Sequence, residues 1–383
     1  MEEQLWKACE ARKVEEVRTL LQNSQLNINW ENKDGLTPLS IACSNGYIEI
    51  VKLLLNDQRV DINKALSGIT PFWIACFCRS IEIVKLLLND KRVDINQPGS
   101  NGETPFLIVC KEGYIDIVQL LLNDERVDVN KVSAYGMTPF FIAYGRGHIE
   151  VMKLLLKDKR VDINKANDGI TPLYAACHFE NIEVVKLLLN SERVDINQAN
   201  KDNETPFFIA CHKRNIEIVK LLLNDQRVDI NKATKGGSTP LYIACLNGHI
   251  EIVKLLLNDQ RVDVNKEDNQ CCTPLYIACL NADIEVAKML LNDNRVDINK
   301  ANKNEATPFW ISCYKGHIDI VKLLLACGRE VNLIAQDKDG KTGLEIARER
   351  ENERKGVLES EEDFENRKRN CLKIVELIES FQY

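Results

Sequence analysis

Apolar and polar positions alternate along this chain with the period of an α-helix, interrupted at regular intervals by short polar stretches. The stretch from Ser238, STPLYIACLNGHIEIVKLLLNDQRVDVNK, shows the pattern. Thr239 is a helix N-cap residue, and Pro240 suits the first helical position, where its missing N–H costs nothing. Leu241, Ala244 and Cys245 then share one face of a short helix. Gly248 breaks it at a position suited to the left-handed conformation. Ile250, Val253, Leu256 and Leu257 predict a second amphipathic helix, with Glu251 and Lys254 as a solvated pair on its outer face. Asn258-Asp259 ends it, and Arg261-Val-Asp-Val-Asn265 reads as an extended segment leading to a turn.

The same pattern returns with Thr-Pro at Thr37, Thr70, Thr104, Thr138, Thr171, Thr205, Thr239, Thr273 and Thr307, at intervals of 33 or 34 residues. A fixed period of this size means stacked structural units whose core lengthens with each copy. Leu5, Ala8 and Cys9 fill the helix slots one period before Thr37, so residues 1–33 are expected to form an N-terminal capping repeat. Nine full repeats occupy 34–340. Thr342-Gly343-Leu344 and the later pattern Leu372, Ile374, Val375, Leu377 and Ile378 predict a C-terminal cap over 341–383. Its charged insert, about 351–370, is expected as a helical extension or solvated loop. About eleven units stacked at roughly 10 Å each would span on the order of 100 Å.

The fold class predicted is therefore all-α: a solenoid of helix–turn–helix units with projecting turn fingers, one domain over 1–383. Composition is that of ordinary folded protein, 45% hydrophobic and 28% charged. A net charge of −7 argues against nucleic acid as a partner, and no stretch suits membrane insertion or a signal peptide. Cys9, Cys43, Cys76, Cys110, Cys177, Cys211, Cys245, Cys279 and Cys313 occupy one slot, six residues after the Thr position. Equivalent atoms in stacked helices lie about 8–10 Å apart, too far for disulfides, so these read as small buried hydrophobes. Such a thiol-rich core points to the cytoplasm, or the nucleus.

On TPLxxAC, NGHIEIVKLLL and RVDVN, carried through nearly the whole chain, the sequence resembles the ankyrin repeat family. The long ending LLLNDxRVDIN is similar to repeats expanded in protists. The resemblance implies helix pairs with β-turn fingers and protein–protein recognition through a concave surface of first helices and fingers. Counting from each Thr, that directs attention to offsets three, seven and eight. Offset three is aromatic in seven of nine copies and reads either as inter-repeat packing or as binding surface. The family's usual His in TPLH is absent from every copy, so its inter-repeat bonding is not assumed. Offsets seven and eight vary as a binding surface would. The candidate partner-binding residues are Trp73, Phe77, Arg79, Tyr135, Met137, Arg146, His178, Phe179, His212, Lys213, Arg214 and Tyr314. The interhelix Gly at offset nine becomes Arg79, Glu180, Arg214 and Ala282, each predicted in a left-handed conformation at a cost of roughly 1 kcal/mol.

Other chemistry dissolves into the repeat. Cys177-His178 and Cys211-His212 are adjacent helical residues pointing about 100° apart, and cannot converge on a metal or form a catalytic pair. Cys76-x-Cys78 and Cys271-Cys272 lack a second ligand pair. His148, His249 and His317 share offset ten, a capping or packing slot. The Arg and Asp of each RVDIN segment are expected to form charge ladders along the array. There is no phosphate loop or nucleophile elbow. The function expected is a non-enzymatic scaffold or adaptor, monomeric, without metal or cofactor, binding a protein. The alternatives are a host-directed effector or substrate adaptor that recruits a second protein through the C-terminal segment, and an enzyme with a thiol-based site.

Overall fold

The computed structural model describes residues 1–353 and 360–381, and among them 22 helices follow one another with no β-sheet. Two compact units divide the chain: Met1–Pro172 with Asn190–Val194, and Leu173–Leu189 with Asp195–Tyr383. In the first unit the helices are α1 (Glu2–Glu10), α2 (Val14–Leu21), α3 (Pro38–Ser44), α4 (Ile48–Leu55), α5 (Pro71–Phe77), α6 (Ile81–Asn89), α7 (Pro105–Glu112), α8 (Ile115–Leu122), α9 (Pro139–Gly145) and α10 (Ile149–Lys157). In the second they are α11 (Pro172–His178), α12 (Ile182–Leu189), α13 (Pro206–His212), α14 (Ile216–Leu223), α15 (Pro240–Leu246), α16 (Ile250–Leu257), α17 (Pro274–Leu280), α18 (Ile284–Leu291), α19 (Pro308–Lys315), α20 (Ile318–Ala326), α21 (Gly343–Asn352) and α22 (Glu361–Phe381). Within each unit first helices pack on first helices and second on second, which makes a helical repeat solenoid.

Local chemistry sets each element. The Thr70 hydroxyl accepts the Trp73 N–H at 3.1 Å, and the cap recurs at Thr37, Thr104, Thr138, Thr205, Thr239, Thr273 and Thr307. Phe72, Phe106 and Phe140 in the first unit, and Phe207 and Phe309 in the second, are fully buried at offset two. The interhelix turn is left-handed as expected at Arg79, Glu180, Arg214 and Ala282, and also at Arg12.

The 33-residue intervals have a structural cause. Thr37 to Thr70 and Thr138 to Thr171 are the short ones. The fingers they contain close as two-residue turns, with Ser67-Gly68 and Asp168-Gly169 all at positive φ and antiparallel bridges Leu66–Ile69 and Asn167–Ile170. Longer fingers add one residue, as where Asn32 N–H donates to Leu36 and Gly35 N–H to Asn32.

The RVDIN segments do not form charge ladders, which corrects that expectation. The ladder is made of amides. Asn63 donates its side-chain amide to Arg92 O at 2.7 Å and accepts the Asp94 N–H at 2.8 Å, so it pairs with the next repeat as a strand would. Asn231 does the same to Arg261 and Asp263 in the second unit. The segment's Asp bonds within its own turn, Asp61 accepting from Asn63 N–H. Except at Arg193, which has Ser191 in that place, the Arg pairs with the Asp two residues before it, and it donates to a carbonyl at the end of the previous second helix. Arg92 binds Asp90 at 2.6 Å and Leu55 O at 2.9 Å. Orphan helix carbonyls thereby find donors, and opposite charges cancel locally.

At the C-terminal end part of the charged insert is helical, because α22 starts at Glu361, ten residues ahead of Cys371. Residues 354–359 of that insert lie outside the described residues.

Candidate binding surface

At offset three, Trp73, Tyr174, Tyr242, Tyr276 and Trp310 meet the neighbouring finger. The Trp73 indole N–H donates to Glu103 O at 2.9 Å, and that of Trp310 to Lys341 O at 3.0 Å. Tyr174 donates to the Glu204 carboxylate at 2.7 Å and Tyr242 to that of Asp268 at 2.9 Å. Tyr174, Phe208, Tyr242 and Tyr276 are buried, while Trp73, Phe141 and Trp310 are half-buried. Through these bonds the stripe packs between repeats, and it makes a connection that the missing TPLH histidine does not.

Offset seven rides on offset three, one helical turn away. Phe77 stacks on Trp73 with ring centres 5.3 Å apart, and Tyr314 stacks on Trp310 at the same separation. His178 lies over Tyr174 and His212 meets Phe208 edge-on. Phe77 remains 46% exposed. Tyr314 differs: the Arg350 guanidinium sits 4.7 Å from its ring centre and donates to its carbonyl, so the C-terminal segment covers it. At offset eight Phe179 is 71% exposed, and Arg146 and Lys213 are exposed. On the finger before Thr138, Tyr135 is 72% exposed, whereas Met137 is half-buried and its sulfur accepts from the Asn167 amide.

Arg79 and Arg214 share a slot and differ in company. Arg79 binds Asp116 at 2.9 Å and lies over the Tyr114 ring at 5.4 Å, both from the next repeat. Arg12 lies over Tyr47 in the same way. The slot that Tyr47 and Tyr114 occupy, offset ten, holds His249 beside Arg214, and that imidazole is engaged elsewhere: its Nε2 donates to His212 O at 3.1 Å. His148 donates likewise to Lys111 O and His317 to Leu280 O, which gives these histidines the structural place their position implied. The roles of Tyr47, Tyr114 and Asp116 escaped the sequence reading. The signal was present, because Arg at offset nine precedes Tyr at offset ten of the following repeat in two places.

The thiols of the repeated slot are sequestered. All nine of the repeated slot are free and buried, and burial pushes the Cys9 and Cys279 thiols up to about 12. Cys177 is buried beside half-buried His178, as adjacent helical positions require. Cys271 and Cys272 form a finger with Cys271 at φ +59°, and burial raises the Cys272 thiol to about 11. Among the described residues no group of three or more His, Cys, Asp or Glu side chains is placed to hold a metal ion. No described helix is long and apolar enough to cross a membrane.

A family model for ankyrin repeats (three copies) matches residues 5–98, 72–167, 159–234, 226–302 and 275–358. A search of curated proteins finds no match. The chain belongs to the ankyrin repeat family, whose repeats are protein–protein interaction modules.

Proposed function

We propose that the chain is a non-enzymatic scaffold or adaptor that takes a protein partner on the surface built from its first helices and fingers. One observation carries this. At offsets seven and eight the backbone repeats while the side chain changes, and there and on a finger the aromatics Phe77, Phe179 and Tyr135 stand 46–72% exposed. Tyr and Phe on a rigid frame bind with little ordering cost. Fourteen free cysteines fit a reducing compartment, the cytoplasm or nucleus, and we take the working form as a monomer.

A photo-crosslinking residue at Phe77 or Tyr135, expressed in the native cell, should capture a partner that the same residue at Lys52, on an outer helix face, does not. Equal capture from both faces would overturn the reading. The exposed acidic turn Glu361–Asp363 that opens α22 favours a second reading, recruitment of another protein through the C-terminal segment. Deleting 351–370 would then remove one partner and spare the rest.

A further inference from the structure

We propose that the ends of α11 and α13 form a docking surface for an acidic protein segment that carries an apolar side chain. This rests on the interaction role above and names the partner's chemistry within the second unit.

His178, Phe179, His212, Lys213 and Arg214 make the surface. The His178 and Phe179 rings meet edge-on at 4.8 Å, and both imidazoles rest on buried aromatics, Tyr174 and Phe208. Buried Asn215 donates to Cys177 O at 2.6 Å and joins the two helix ends, while His249 holds the His212 carbonyl. The side chains therefore project from a fixed base. Lys213 lies close enough to His178 to disfavour its protonation, after burial, which is the larger cause.

Neither Lys213 nor Arg214 has an ion-pair partner among the described residues. Glu251 stands where Asp116 closes on Arg79, and makes no ion pair there. The acidic neighbours are therefore Glu251, Glu180 at the turn after Phe179, and Glu204, held by Tyr174. Cations at helix C-termini also complement the helix dipole. α7 and α19 carry Lys111 and Lys315 there, while α15 and α17 end in Leu246-Asn247 and Leu280-Asn281, so the shared backbone does not require a cation at this place. Lys213 and Arg214 thus stand without ion pairs among the described residues, beside a phenylalanine 71% exposed. Carboxylates answer the first and an apolar side chain the second. A nucleic acid would need a longer basic track and further stacking platforms.

The test is fluorescence anisotropy of the full chain with a short labelled peptide of glutamates around a central leucine. Binding should weaken with salt, and fall on the order of tenfold in Lys213→Glu/Arg214→Glu and again in Phe179→Ser. The lysine counterpart of the peptide should not bind, and circular dichroism should show each variant folded. No binding, or unchanged binding by folded variants, overturns the proposal. So does tighter binding of labelled oligothymidine, which would make the surface a nucleic-acid site. If the peptide fails while crosslinking from Phe77 succeeds, only this inference falls; failure of both removes the interaction role as well.

Discussion

The Trp73 indole donates to the carbonyl of Glu103, one repeat along, and the same ring carries Phe77 on its face. A packing contact thus aims a surface residue. Trp73→Phe removes the hydrogen bond and keeps most of the stack, so urea denaturation should show a loss of about 1 kcal/mol. Unchanged stability would mean that the bond does not secure the finger.

Gly113 and Glu180 occupy the same left-handed slot with opposite consequences. A Cβ on Gly113 would lie 2.6 Å from the His148 ring, displacing the imidazole that holds Lys111 O. Gly113→Ala should therefore cost about 1–2 kcal/mol. Glu180 is at φ +58° and exposed. Glu180→Gly should stabilise by about half a kcal/mol, after the extra freedom of unfolded glycine is subtracted. Thermal denaturation decides both, and equal signs would contradict the assignment.

Cys78 is exposed, Cys271 and Cys327 are half-buried and the repeated slot is buried. A chromogenic disulfide reagent at neutral pH should modify Cys78 first, and the buried thiols only as fast as the protein opens. Cys78→Ser should remove the rapid phase. A rapid phase that survives it, from a buried thiol, would restore the thiol-enzyme alternative.

Hydrogen bonds from Arg261 and Arg295 hold the carboxyls of Asp259 and Asp293 below their ordinary values, as Arg92 does for Asp90. A depressed folded pKa contributes stability that is complete above the unfolded value, about 3.9, and drains as pH falls through the folded one. Arg261→Gln should therefore be destabilised most at neutral pH, with the gap to wild type narrowing below about pH 4. A gap independent of pH would assign the whole effect to the lost Leu223 carbonyl bond.

Helix starts, left-handed turns and the buried Cys slot were legible in the sequence because their causes are local: a Thr cap, a glycine position, an apolar face. Connections between repeats were not. The grip of Asn63 on Arg92 and Asp94, and the difference between Arg79 and Arg214, depend on what the next repeat places alongside. The early start of α22 was hard to see because Glu361–Asn370 has strong helix formers but almost no apolar face to mark it. Of the candidate residues, Phe77, Tyr135 and Phe179 stand out as exposed aromatics, Trp73 and Met137 are drawn into packing, and Tyr314 is covered by Arg350.

The interaction role itself is tested most directly by proximity labelling in the native cell, comparing wild type with Phe77→Glu/Arg146→Glu/Phe179→Glu/Arg214→Glu. Arg79 is left intact because its contact with Asp116 is structural. The expected result is a folded variant with the wild-type melting curve and its main labelled partner lost. An unchanged set of labelled proteins from the folded variant would contradict it.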